Sequence, residues 1–431
     1  MMLFLSPATL FAAEQVTLVD AVKRALAANP TVHSARAASD AAEAGRKSAR
    51  GAFGPTLTAS YGYSRVLQES SPAQTSDRTP YGGMFSAVIS FNQNLFTGFR
   101  LLSTYQKAAL QAESQQLNLR LTQLNLVASV QSAFLSYLQA LENVRSQRDS
   151  LTRLKEQLQI TKASFEVGLR PHLDVLQAEV DVSRAESTLI AAENSRETYK
   201  AQINTLLGLP VTAELDYVGI LSPVPFNIGL ESCLETAYRQ RPDLGIAAKA
   251  VAIAGKDVKI VQSQYYPQIS AYYDITSIGD NLGLRHVHRD GYHTSNWQVG
   301  VMGTWTVFEW GQTFYADQQA RFVESQMRAD EASLKLNAGF DVKSKLLAVR
   351  DAEKLISVAT KGLEQAHEAY KQAQARYRAQ VGTNFDVLDA SANLAAAETT
   401  LTGAKAGYLT ALSALYAAMG ELKLDLGLAG K

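Results

Sequence analysis

Along this chain the spacing of apolar residues switches between two periods. In four short stretches the period is two. Leu57, Ala59, Tyr61 and Tyr63 alternate with Thr58, Ser60, Gly62 and Ser64, and Phe85, Ala87, Ile89 and Phe91 alternate with Ser86, Val88, Ser90 and Asn92. Ile269, Ala271, Tyr273 and Ile275 follow the same rule, as do Trp297, Val299, Val301, Gly303, Trp305 and Val307. Between them stand Ser270, Tyr272, Asp274, Gln298, Thr304 and Thr306. Such alternation predicts strands that are apolar on one face and small or polar on the other. Strands of about 9 to 11 residues divided in this way match a membrane β-barrel. A soluble hairpin packed on a helix would show the same alternation. The stretches joining the strands, about Arg65 to Gly83 and Ser277 to Ser295, are long and polar, as on the outer face of such a barrel. Trp297, Trp305, Tyr61 and Phe91, placed near the predicted strand ends, suit an interfacial aromatic belt.

Elsewhere the period is helical. Neither glycine nor proline interrupts the chain between Gly98 and Gly168. As one helix that run would span about 100 Å at about 1.5 Å per residue. Leu117, Leu121, Leu124, Ala128, Leu135 and Leu138 give it an apolar stripe. Gln312 to Tyr377 predicts a helix of equal length, and such helices need lateral neighbours to be stable. Returning helices follow, Pro171 to Leu207 and Thr383 to Met419, with Gly208 and Gly420 as C-terminal stops. Short helices, Thr17 to Ala28 and Gly229 to Gln240, end at Asn29-Pro30 and Arg241-Pro242. Each leads into a second, alanine-rich helix, for which proline suits the first turn.

These elements occur twice. A shift of 212 residues places Pro30 on Pro242, Pro55 on Pro267, Gly208 on Gly420, and Asp174-Val175-Leu176 on Asp386-Val387-Leu388. It also pairs Tyr61 with Tyr273 and Phe96 with Phe308. One shift without net insertion predicts two copies of one structural unit. The expected organisation is a first repeat at 14–210, a linker at 211–228, a second repeat at 229–420 and a tail at 421–431, after a signal-peptide remnant at 1–13. The β-hairpins are expected at about 56–96 and 268–308, and the long helices at about 98–164 and 311–377.

Composition removes several function classes. Formal net charge is zero, so there is no electrostatic footprint for nucleic acid. The single cysteine, Cys233, stands among Leu230, Leu234 and Ala237 as a small hydrophobe on a helix face, and one cysteine makes neither a disulfide framework nor a thiolate cluster. Leu3, Phe4, Leu5, Leu10 and Phe11 before Ala12-Ala13 resemble a secretory signal without its basic start. His286, His288 and His293 share a loop, but their irregular spacing without paired carboxylates favours solvated histidines over a metal site. No phosphate-binding loop or nucleophile elbow is present, so an enzyme is the least favoured class, and no cofactor or metal is expected.

Two hairpins supply four strands, whereas single-chain outer-membrane barrels begin at about 8. An open sheet in lipid would leave its edges unpaired, so a barrel has to be shared between chains. The long helices would then continue it as a tunnel. A soluble coiled-coil scaffold with hairpin interaction tips remains an alternative, as does a porin-like pore that is open without partners.

The chain resembles the TolC-type outer-membrane efflux family along essentially its whole mature length. The resemblance is carried by Leu18-Val19-Asp20-Ala21 with Leu26-Ala27-Ala28-Asn29-Pro30, by Asn94-Leu95-Phe96-Thr97-Gly98, and by an aromatic residue nine positions before Asp-Val-Leu in both repeats (Phe165 before Asp174, Tyr377 before Asp386). It implies a homotrimer with a 12-stranded outer-membrane barrel, a helical barrel across the periplasm and a mixed belt near Val211 to Ile228. It also implies passive export for an inner-membrane pump or ABC transporter, through a periplasmic adaptor. The glycine that follows the aromatic, Gly168 in the first repeat, is replaced by Gln380 in the second, with Gly382 two positions later.

Function is therefore expected in the turns between long and returning helices. Gly168, Leu169, Arg170, Gly382 and Thr383 are the candidate adaptor-docking residues, with both glycines expected in turns that suit positive φ. Asp386, Asp389, Tyr377, Asp174 and Phe165 are the candidate gate. Asp386 and Asp389 lie one helical turn apart and project to one side. In a trimer they would form a ring of six carboxylates, wet, partly protonated or cation-bound. The other reading of Asp386, Asp389 and Asp174 is that they are acids stabilised at a helix N-terminus.

Overall fold

A computed structural model describes residues 15–65, 83–279, 281–284 and 293–426. The first repeat runs α1 (Leu18–Ala28), α2 (Pro30–Gly51), β2 (Thr56–Arg65), β3 (Gly83–Thr97), α3 (Arg100–Glu166) and α4 (His172–Leu206). The second runs α5 (Leu230–Gln240), α6 (Pro242–Gln262), β5 (Gln268–Gly279), β6 (His293–Thr304), α7 (Gln312–Arg378) and α8 (Asn384–Met419). The tandem repetition expected from the sequence is the architecture. Two further strands, β1 (Gln15–Val16) and β4 (Asp216–Tyr217), pair in parallel. The chain divides into two compact units. One gathers the chain up to Ala37, Leu117–Gly245 and the chain from Ser333, and the other Ala38–Gln116 and Ile246–Ala332.

The first unit holds an apolar core in which Val16, Phe134, Leu135, Ile203, Leu409 and Leu415 are fully buried. Thr17 caps α1 by accepting from the Asp20 N–H at 3.3 Å. At the corner between the first two helices of each repeat, the residue before proline reaches the end of that repeat's returning helix. Asn29 Nδ2 donates to the Leu206 carbonyl at 2.8 Å, and Arg241 donates to the Ala418 carbonyl at 3.0 Å, 212 positions on in both members. Gly208 (φ +73°) and Gly420 (φ +76°) turn the chain at this joint, and a Cβ there would lie 2.9 Å from the Ala28 carbonyl and 2.8 Å from the Arg241 backbone. Glycine is therefore required both for its φ and for the close approach. The segment after α4 is anchored by Tyr217, which is fully buried. Its hydroxyl donates to Asn204 Oδ1 at 2.5 Å while Asn204 Nδ2 donates to the Ala213 carbonyl at 3.0 Å, and burial pushes the phenol up to about 12. Cys233 is buried in the same core.

The second unit contains an antiparallel sheet in the order β2-β3-β5-β6. The register places Leu57, Ile89, Phe91, Tyr273, Ile275, Trp297 and Val299 on one face, and Thr58, Ser90, Asp274 and Gln298 together on one rung of the other. Tyr61, Phe91 and Trp297 lie within their strands rather than near strand ends, and β6 stops at Thr304, short of Trp305 and Val307. Thr304 pairs with Gln268, the first residue of β5, and the residue before it is Pro267, which has no N–H to extend the ladder. The long connections at 66–82 and 285–292, with His286 and His288, lie outside the described residues. No helix among the described residues is long and apolar enough to cross a membrane.

Candidate functional site: the turns after the long helices

Both turns lie in the first unit. At the end of α3 the Gly168 N–H donates to Phe165 and the Leu169 N–H to Ser164, at 2.8 and 2.9 Å, around Gly168 at φ +78°. At the end of α7 the Gln380 N–H donates to Tyr377 and the Val381 N–H to Arg376, both at 3.0 Å, around Gln380 at φ +64°. This is one left-handed helix stop built twice. Gly168 has the expected positive φ. Gly382 does not, because the left-handed position of the second turn is Gln380, its counterpart under the 212-residue shift. Gly382 sits in a tight space instead: a Cβ there would lie 3.1 Å from Arg376 Cβ and 3.2 Å from its backbone.

The returning helices start differently. Thr383 opens α8 with a capping box, its hydroxyl accepting from the Asp386 N–H at 3.2 Å and its own N–H donating to Asp386 Oδ2 at 2.9 Å. The bond from the Thr383 N–H, with that from its hydroxyl, holds the exposed Asp386 carboxyl below its ordinary value. Asp389, also exposed, accepts from Asn393 Nδ2 at 3.1 Å. Pro171 opens α4 without a side-chain cap, so Asp174 has no equivalent box.

Tyr377, Arg170 and Gly382 come together. Tyr377 is 4% exposed, the Arg170 guanidinium lies 4.8 Å from its ring centroid, and Arg170 donates to the Gly382 carbonyl at 3.0 Å. Arg170 and Gly382 are themselves 212 positions apart, so this contact ties one residue to its own counterpart in the other repeat. Phe165, the counterpart of Tyr377, is instead 41% exposed and meets the His172 ring at 5.1 Å. Leu169, Val381 and Phe385 are exposed. A groove of about 360 Å³ is lined by Leu169, Arg170, Tyr377 and Gln380, with Ile160 and Ser164.

Sequence reasoning missed the buried polar residues behind these turns. Asn384 Oδ1 accepts from Gln157 Nε2 at 2.8 Å and lies 3.2 Å from Thr161 Oγ1, which is 3.3 Å from the Tyr377 hydroxyl. Asn384 Nδ2 donates to the Asp174 carbonyl at 3.2 Å, so Asp174 joins the network through its backbone. A signal was present. Asn384, Ser391 and Glu398 within α8, and Tyr370 and Tyr377 within α7, are each spaced at intervals of seven, the spacing of a packed helical seam. Among the described residues no group of three His, Cys, Asp or Glu side chains is placed to hold a metal ion.

The family model for outer membrane efflux proteins matches residues 21–209 and again 233–421, two spans offset by the same 212 residues as the repeat. The chain belongs to the outer membrane efflux protein family. It is 24% identical to the outer membrane protein TolC of Vibrio cholerae, over 91% of this chain and 88% of that one. It is 25% identical to the outer membrane efflux protein BepC of Brucella suis, over 97% and 88%. Its fold is that of the Campylobacter jejuni CmeC outer membrane channel, with a TM-score of 0.83 at 17% identity over 94% of this chain and 85% of that one. The open-state Neisseria gonorrhoeae MtrE outer membrane channel gives 0.78 at 22% identity, over 95% and 90%. As a member of this family the chain is an outer-membrane exit duct for efflux.

Proposed function

We propose that three copies of the chain form one passive duct, with strands as its outer-membrane wall and long helices as its periplasmic wall. The observation that carries this is the sheet with two open sides. Among the described residues β2 and β6 each pair on one side only, while one face of the sheet is apolar throughout its centre. Hydrocarbon does not tolerate unpaired strand edges. Pairing β6 of one copy with β2 of the next satisfies both. With 4 strands per chain, three copies give 12 and two give 8, both closed-barrel numbers. Three follows the family resemblance.

The turns are the docking surface for a periplasmic adaptor that serves an inner-membrane pump or ABC transporter. Gly168 and Gly382 shape them, Leu169 and Thr383 lie at their surface, and Arg170 braces them from within. Tyr377 and Phe165 close the narrow end, with Asp386, Asp389 and Asp174 around it, and the two exposed carboxylates of α8 attract cations. Because Asp386 also caps α8, the clean test of its charge is Asn, which keeps an accepting oxygen. Mass measurement in mild detergent is expected to give a trimer, and a monodisperse monomer would overturn the architecture. In a planar bilayer, Asp386→Asn with Asp389→Asn is expected to weaken cation preference. Unchanged selectivity would leave these residues as helix-start acids only.

A further inference from the structure

We propose that Asp274 is a second cation-selecting element of the duct, set in the barrel wall itself and independent of the turns. This rests on the reading of the sheet as that wall. Arg65 and Asp274 are the only Asp, Glu, Lys or Arg residues in the four strands, and Arg65 is the last residue of β2. Asp274 is the seventh of the 12 residues of β5 and shares its rung with Thr58, Ser90 and Gln298. It therefore stands mid-wall on the polar face, opposite the face that carries Ile275, Tyr273 and Trp297. Gln298 Nε2 donates to its Oδ2 at 2.9 Å, which fixes the direction of the carboxylate. Two residues along the same face, Tyr272 lies flat against the neighbouring strand: a Cβ on Gly300 would fall 2.6 Å from its hydroxyl. That ring lies along the wall instead of blocking the space in front of Asp274.

A carboxylate at mid-depth is costly against lipid and acceptable against water, so the polar face is the water-filled one. Each copy of the chain adds one such charge at the same level, and the other charge on the described strands, Arg65, stands at the end of β2 and by alternation on the opposite face. Its reach follows the Debye length, about 30 Å at 0.01 M salt but about 3 Å at 1 M. The wall therefore enriches small cations strongly at low salt and hardly at all at high salt.

Two measurements test this. A membrane-impermeant thiol reagent is applied to the folded protein in vesicles carrying Asp274→Cys or, on the opposite face, Ile275→Cys; the native Cys233 is buried. Reaction at position 274 and not at 275 is expected, and the reverse, or equal reaction, overturns the assignment of faces. Reversal potentials under a potassium chloride gradient are then compared in the Asp386→Asn, Asp389→Asn background with and without Asp274→Asn. A fall of at least about twofold in the cation-to-anion permeability ratio near 0.01 M salt, absent at 1 M, is expected. Asp274→Lys is expected to tilt the ratio toward anions. Normal conductance with an unchanged ratio in Asp274→Asn overturns the role of Asp274 alone. Absence of any channel from the unmodified protein overturns the duct reading beneath it.

Discussion

Replacing Arg170 by Ala removes two interactions that join the two repeats at their turns. One is the charge-assisted hydrogen bond to the Gly382 carbonyl at 3.0 Å, and the other the guanidinium over the Tyr377 ring at 4.8 Å. Hydrogen bonds from charged donors contribute about 1.5 to 3 kcal/mol, and exposed cation–π pairs about 0.5 to 1 kcal/mol. Arg170 is only half-buried, so the lower ends apply, and together they give about 2 kcal/mol. That corresponds to roughly a 30-fold shift toward separated turns. Single-channel recording of the purified protein reads it as more frequent opening, with the mass of the assembly unchanged. Arg170→Lys keeps the charge but not the planar fork, and is expected to recover less than half of the effect. Combining Arg170→Ala with Tyr377→Phe supplies the control. The Tyr377 hydroxyl lies near Thr161 rather than Arg170, so the two changes should be nearly additive. Opening statistics identical to the unmodified protein in Arg170→Ala would refute the view that this arginine holds the repeats together.

Gln380→Gly relieves a non-glycine residue held at φ +64° and is expected to stabilise the fold by about 1 kcal/mol, read as a higher midpoint in thermal melts. A lower midpoint would show that the glutamine side chain compensates for the strain. Gly420→Ala meets both an unfavourable φ and backbone at 2.8 Å, so a loss of about 2 kcal/mol or more is expected in the same assay, against a gain of about 0.5 to 1 kcal/mol for the unobstructed, helical Gly407→Ala. For Asp243, burial raises the carboxyl pKa, but the bonds and charge of Arg241, with the Leu244 N–H, outweigh it and bring the pKa below the ordinary 3.8. A carboxylate depressed in the folded state contributes stability above its unfolded pKa and loses it as pH falls through the folded one. Melting midpoints should therefore hold from neutrality to about pH 4.5 and decline below about pH 4, less steeply in Asp243→Asn. Parallel decline in both proteins would exclude this pair as the acid-sensitive joint.

The strands, the long helices and their doubling were legible because each is written in neighbouring residues. Alternation at Leu57 to Tyr63 states the faces of β2 directly, an uninterrupted run from Gly98 to Gly168 states a long helix, and the 212-residue shift states the repeat. Local chemistry also places Asp386 at a helix start, where the capping box with Thr383 is found. Where two expectations relied on glycine alone, only one held. The chain stops α7 with Gln380 in the left-handed position, because hydrogen bonding at the helix end sets that φ whether or not the residue there finds it easy. The joining of Arg170 to Gly382, the burial of Tyr377 beside an exposed Phe165, and the bonds among Gln157, Thr161 and Asn384 were decided by tertiary packing. These contacts connect residues more than 200 positions apart, and the shared spacing of the two repeats predicts an aromatic residue and a helix start at both turns alike. Which turn buries its aromatic residue depends on how the helices pack against one another, and no periodicity within either repeat carries that information.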